Sequence, residues 1–284
     1  MAAHLHIFKR LVLRLEPNSP DRSTQLAVEL AELLHIELLG LVLEDPSLRH
    51  LAAIPFVREF RPLEGGWHPL DLDQLTHDFD VAVRSAERLF AAAAKNLTMR
   101  HQFEVIREAA AQAIASIFRS GDIVIITQPS TPAGRATQPF SWPLEAAFRS
   151  DAAVMVVPAR IARLAGPVVA VAIAPDDPSV RAAADIAIAA KEDLVIVHAH
   201  EGKGDGPGVR KLAADTGLTI RHVFTGQESL SDPAACVEAL HHVEERLVVI
   251  TRGTFAPELA VSIASSRGVP VLVIASSTDA PQSQ

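Results

Sequence analysis

The chain has 284 residues, of which 49% are hydrophobic and 21% charged. That balance supplies core material and excludes a largely disordered chain, and the length suits about two domains at roughly 150 residues each. The formal net charge of -8 gives no general electrostatic support for holding a phosphate backbone, so nucleic acid is not an expected partner.

Residues 7–15 read as a strand, entered by Lys9 and Arg10. Pro20, Asp21, Arg22 and Ser23 then open a helix to about residue 35, with Leu26, Leu30, Leu33 and Leu34 on one face. A strand over 37–43 follows. A long helix over 71–96 carries Leu75, Phe79, Val83, Ala86 and Phe90 at helical spacing. Residues 101–106 are strand-like and 108–119 helical. The unbroken apolar run over 123–126 marks a strand buried on both faces. A loop with Pro and Gly leads to a helix around 144–148, and a strand over 152–157 is stopped by Pro158.

The pattern then starts again. Strands are expected over 168–173, 194–197, 218–224, 247–250 and 269–274. Helices are expected over 178–190, 208–215, 232–243 and 256–265. Each half reads βαβαβαβαβ, which predicts parallel strands with helices on both faces. The halves also repeat in detail. Ile123 to Ile126 precede Thr127, and Leu247 to Ile250 precede Thr251; both halves close on a valine-rich strand. The fold class expected is therefore α/β, as two Rossmann-like open parallel five-stranded sheets in tandem. The domains span 1–160 and 166–276, with a polar tail over 277–284.

The first half differs by an insert over 45–70, which holds Pro46, Pro55, Pro62 and Pro69 with Phe56, Phe60 and Trp67. A connection of this length is either functional or a cover that packs on the sheet or seals the two domains. The lone cysteine, Cys236, excludes an intrachain disulfide and lies in an apolar helical stretch, as buried filler does. The apolar runs fall short of the roughly 20 residues a membrane span needs, and residues 1–8 lack a secretory signal's apolar stretch. The expected location is the cytoplasm, with no membrane partner.

On these residues the chain resembles the universal stress protein superfamily. Phe8 to Leu13 resemble that family's first strand, 23–43 its first helix and second strand, and the closing strands those through which members pair. The insert, with Glu44, Asp45 and the run from Ile54 to Glu59, is similar to inserts in bacterial tandem members. The resemblance implies a tandem member with a flavodoxin-like or HUP-type sheet, dimer-like pairing of its domains, and a part in stress survival. Pairing between halves or chains then falls to Val154 and Val156 with Val271 and Val273.

Family members that bind ATP carry a Gly-x2-Gly-x9-Gly-Ser/Thr loop after the fourth strand, where glycines let backbone N–H groups approach phosphates. In the second half only Gly253 matches, with Ile250 at the first glycine and Ile263-Ala264 where Gly-Ser/Thr would stand. In the first half Pro129 removes a donor. The family's Asp after the first strand is Glu16 in one half and Ala174 in the other, with Asp176 two residues on. ATP or AMP thus stays open as a cofactor of the second half alone.

In open α/β sheets ligands bind beyond the carboxyl ends of the strands. The candidate ligand-binding residues are therefore Glu16, Thr127, Asp176, Thr251, Arg252 and Gly253, with Arg252 and the threonines able to meet an anion. The segment 201–208, with four glycines before a helix, is not a Walker A loop and reads as a flexible connection. His198 and His200 share a strand face, and with His222 or His241 and His242 could in principle bind a metal; no Cys or carboxylate cluster has supporting spacing, so no metal site is assigned. No Gly-x-Ser-x-Gly elbow and no nucleotidyl-transfer motif occurs, which leaves no catalytic set. Three functions follow in order: a non-enzymatic stress or regulatory protein acting through protein contacts or a small ligand; an adenine-nucleotide sensor; and a HUP-type enzyme with weak nucleotide hydrolysis.

Overall fold

The computed structural model describes residues 8–15, 21–44, 50–54, 56–61, 65–107, 117–129, 138–174, 177–198, 209, 214, 216–225, 233–253 and 257–275. The expected helices over 108–119 and 208–215 fall largely outside these residues, as does the 201–208 segment.

Twelve strands are described. They are β1 (Arg10–Leu15), β2 (Glu37–Leu43), β3 (Arg58–Arg61), β4 (Gly66–Pro69), β5 (His101–Ile106), β6 (Asp122–Thr127), β7 (Ala153–Val157), β8 (Val168–Ala172), β9 (Leu194–His198), β10 (Ile220–Phe224), β11 (Leu247–Thr251) and β12 (Val271–Ile274). Six helices of seven residues or more accompany them: α1 (Asp21–Leu34), α2 (Leu72–Ala94), α3 (Gln138–Arg149), α4 (Pro178–Ala190), α5 (Pro233–Ala239) and α6 (Pro257–Arg267).

Ten of these strands form one sheet, in the order β10-β9-β8-β11-β12-β7-β6-β1-β2-β5. The α/β class expected is present, with the two five-stranded sets joined edge to edge in one sheet. The two sets share one strand order, and each set is parallel within itself. They fuse where β7 and β12 pair antiparallel, with Val271 opposite Val156 and Val273 opposite Val154. β7 lies between β6 and β12, and β12 between β11 and β7, so both closing strands spend their backbone groups inside the chain. The continuous apolar runs explain the interior places. β7, β8, β9, β11 and β12 are buried at every residue, as strands covered on both faces must be. The two sheet edges, β5 and β10, carry exposed polar residues instead.

The helices divide between two faces. Leu26, Leu30, Ala86, Phe90, Ala183 and Ile186 place α1, α2 and α4 over one core. Phe140, Leu144, Cys236, Leu259 and Ile263 place α3, α5 and α6 over the other. Period-two alternation carries the seam into both cores: Met155 and Leu272 enter the first, and Val154, Val156, Val271 and Val273 the second. α6 also packs on β7, and α4 on α1, so each half covers part of the other.

Local chemistry sets the helix starts. Asp71 caps α2 by accepting from the Asp73 N–H at 2.9 Å. Asp177 caps α4, with Pro178 at the first helical position. Arg10 grips both oxygens of Asp122, fastening the start of β1 to the start of β6. Asp122 raises the Arg10 guanidinium above its ordinary pKa through that hydrogen bond.

The insert holds structure absent from the sequence reading. β3 and β4 form a separate antiparallel hairpin, and Phe56, Phe60 and Trp67 lie exposed instead of covering the sheet.

Candidate functional site

The strand order reverses at β1/β6 in the first half and at β8/β11 in the second. These switch points are where an open α/β sheet leaves a crevice beyond its carboxyl ends. Because the halves join antiparallel, the two crevices open at opposite ends of the sheet.

In the first crevice, Thr127 ends β6 and donates from Oγ1 to Ser23 Oγ at 3.0 Å. Ser23 is buried in the first turn of α1. Glu16 lies outside the described residues. In the second crevice, the buried Thr251 ends β11 and donates to Asp177 Oδ1 at 2.5 Å. The same Oδ1 accepts the Ser179 N–H at 2.9 Å, and Oδ2 accepts the Ile173 N–H at 3.1 Å. Asp177 is itself buried. One carboxylate thus holds the end of β8, the start of α4 and the end of β11 together.

Asp176 lies outside the described residues, and sequence reasoning passed over its neighbour. The signal for Asp177 was present: an Asp directly before a helix-opening Pro is a capping pair.

Arg252 turns away from the crevice. Its guanidinium donates to the carbonyls of Ser150 and Ala152 in the first half. It also stands 5.5 Å from the Phe148 ring centre. Its counterpart Gln128 reaches the other way, from its Nε2 to Val261 O at 2.8 Å, and accepts from Ser265 Oγ at 2.8 Å. Each residue that follows a crevice threonine therefore latches onto the opposite half. Arg252→Ala should cost about 2–4 kcal/mol, because two carbonyls lose charged donors and a cation–π contact goes. A urea titration of the variant against the parent reads this directly; a loss below about 1 kcal/mol would show that water replaces the guanidinium.

Gly253 follows, at φ +94°, and a side chain added there would meet nothing within 4 Å. The residue is a turn at the crevice mouth, with its positive φ the reason for glycine. A groove of about 530 Å³ lies elsewhere, between α3 and α6, with Phe140, Leu144, Val261 and Ser262 among its walls. Its lining includes Val261 and Ser265, which Gln128 bonds, and none of the crevice residues Ser23, Thr127, Asp177 or Thr251.

His198 and His222 sit on adjacent strands with Nε2 and Nδ1 2.9 Å apart, sharing a hydrogen bond. Their rings stack with Phe224. His200 lies outside the described residues. Among the described residues, no group of three or more His, Cys, Asp or Glu side chains could hold a metal ion, and no helix is long and apolar enough to cross a membrane.

No protein-family model matches the sequence, and no curated protein matches it. Solved structures match over nearly its whole length. A universal stress protein from Archaeoglobus fulgidus DSM 4304 is 12% identical, covers 94% of this chain over 96% of its own, and superposes with a TM-score of 0.61. A functionally unknown protein from Pseudomonas aeruginosa PAO1 is 16% identical, covering 95% of this chain and 93% of its own at a TM-score of 0.52. A putative universal stress protein from Pseudomonas aeruginosa UCBPP-PA14 is 18% identical, covering 95% and 94% at 0.52. At these identities the likeness is one of fold.

Proposed function

We propose, starting from a chain that has the universal stress protein fold, that it is a non-enzymatic stress-response or regulatory protein that works through protein contacts. In this reading the spans 1–160 and 166–276 are two degenerate copies of one unit, fused so that one chain does the work of a pair. It acts in the cytoplasm.

The observation that carries the reading is the state of the second crevice. Asp177 and Thr251 are spent on each other and on backbone donors, and Arg252 is spent on carbonyls of the other half. A nucleotide would have to break these bonds before gaining any of its own. Charged hydrogen bonds of this kind contribute about 1.5–3 kcal/mol each, which a phosphate contact must first repay. Gly253 by itself offers one backbone donor, less than a phosphate cradle requires.

Native mass spectrometry of freshly purified protein, with and without ATP, AMP and magnesium, tests this. Bare protein is expected in every condition. Near-stoichiometric nucleotide that Gly253→Val removes would replace the proposal with the nucleotide sensor. Turnover of a nucleotide by clean protein would replace it with the enzyme.

A further inference from the structure

We propose that the aromatic face of the β3–β4 hairpin is the surface on which a second copy of this chain docks. The register sets Arg58 opposite Pro69 and Phe60 opposite Trp67, with Glu59 opposite His68 between them. Alternate residues of a strand point to opposite faces. One face therefore carries Arg58, Phe60, Trp67 and Pro69, and the other Glu59, Arg61 and His68.

An isolated two-stranded hairpin is marginal in water and normally gains stability by burying its apolar face. Here the faces are reversed. Phe60 is 51% exposed and Trp67 62%, with ring centres 5.4 Å apart, while the polar face is half-buried and holds the Arg61–Glu59 ion pair. Phe56, beside the hairpin, is 98% exposed at φ +77°. A bulky side chain seldom takes that backbone conformation, and within this chain its ring gains no burial in return.

Two features point to a second copy as the occupant. The first is charge. Arg58 stands on the aromatic face with no ion-pair partner among the described residues, and the exposed Asp71 and Asp73 follow β4 directly in the chain. A two-fold axis would bring each Arg58 to the other copy's carboxylates, the self-complementary arrangement of an isologous interface. The second is area. Phe60 and Trp67, aromatic side chains of about 150–250 Å² each and a little over half exposed, with Arg58, Pro69 and the open Phe56 beside the hairpin, offer on the order of 500 Å² per copy. That lies well below the roughly 800 Å² per partner of standard interfaces, and suits a weak, reversible dimer. The sheet offers no rival through its closing strands, since β7 and β12 are both paired on each side.

Sedimentation velocity of the full chain over about 1–200 µM tests the proposal, with a dimer expected to form in the micromolar range. Phe60→Ser with Trp67→Ser should raise the dissociation constant at least about 10-fold, with only a small drop in thermal midpoint because more than half of each ring is already exposed. Arg58→Asp and Asp73→Arg should each weaken the dimer, and an equal mixture of the two variants should associate better than either alone. A parent that stays monomeric throughout overturns the proposal. So does a double-serine variant that dimerises as tightly as the parent. A monomer that instead binds anionic phosphatidylserine vesicles through Trp67 would give this face to a membrane and equally overturn it.

Discussion

Replacing Glu245 by Ala should remove about 3–5 kcal/mol of folding stability, the cost of leaving two partly buried guanidinium groups without the buried carboxylate between them. The Glu245 side chain has no solvent exposure and lies between two guanidinium groups. Arg267, at the end of α6, places Nε 2.8 Å from Oε1 and Nη2 3.0 Å from Oε2. Its Nη2 also reaches the carbonyls of Leu240 and Val243. Arg163, from the segment joining the halves, donates to Glu245 Oε1 at 3.2 Å and to its carbonyl at 2.8 Å. The Glu245 hydrogen bond raises Arg267 above its ordinary pKa, so Arg267 keeps its charge at any pH the fold survives. Two like charges would then face each other in the space the carboxylate left. Against the roughly 5–15 kcal/mol total of a native protein, the loss is large enough to move a urea midpoint far outside error. Glu245→Gln keeps the volume and one acceptor and should lose less. If Glu245→Ala shifted the midpoint by under about 1 kcal/mol, the site would be hydrated and the network unimportant.

Gly166→Ala should be as damaging, for a steric reason. Gly166 stands at φ +129° just before β8, and an added Cβ would fall 2.2 Å from the Glu244 carbonyl oxygen. No side-chain rotation relieves a clash with backbone, so the junction must move. It is held in place, since the Gly166 N–H donates to Glu192 Oε2 at 3.1 Å and Arg246 pairs with Glu192 at 2.9 Å. The backbone conformation costs an alanine about 1–3 kcal/mol and the displacement adds about as much again. Gly253→Ala is the matched control, because its φ is also positive but the space around it is open. It should lose only the conformational part, about 1–2 kcal/mol. Equal losses at both positions, by thermal or urea unfolding, would mean that the Glu244 contact relaxes freely.

Both sites fasten the segment between the halves to the second half. The Arg252 and Gln128 latches add hydrogen bonds across the seam between the halves. That bears on the proposed function: a ligand or partner at one crevice meets a chain whose threonine-end loops are each anchored across the seam.

Much of the fold was legible in order along the chain. Runs such as Ile123 to Ile126 and Leu247 to Ile250 are apolar without a break, which only a doubly covered strand requires, and both lie in the sheet interior. Leu26, Leu30 and Leu34 recur at helical spacing and all three are buried. The repeat marked by Thr127 and Thr251 corresponds to the two switch points. The candidate site was legible in place but not in detail. Thr127, Thr251 and Gly253 do lie at strand carboxyl ends, yet nothing local says that Arg252 turns to Ser150 and Ala152, about a hundred residues earlier in the chain. A guanidinium reads the same in sequence whether it meets an anion or a carbonyl.

The β3–β4 hairpin was missed because its strands are only four residues long and Pro62 follows the first directly, so alternation had too few positions to register. Periodicity would in any case have assigned Phe60 and Trp67 to the inside. The sequence by itself determined the ten strands of the large sheet, the six described helices and the parallel order within each half, because these follow from side-chain spacing and from neighbours a few residues apart. Only the tertiary structure decided that the closing strands pair within one chain, that Val154 and Val273 meet antiparallel, and that the aromatic face of the hairpin stays outside. A strand edge offers the same backbone donors and acceptors to any partner. Which one it takes, and which face is then covered, depends on where the whole chain brings its apolar surfaces together.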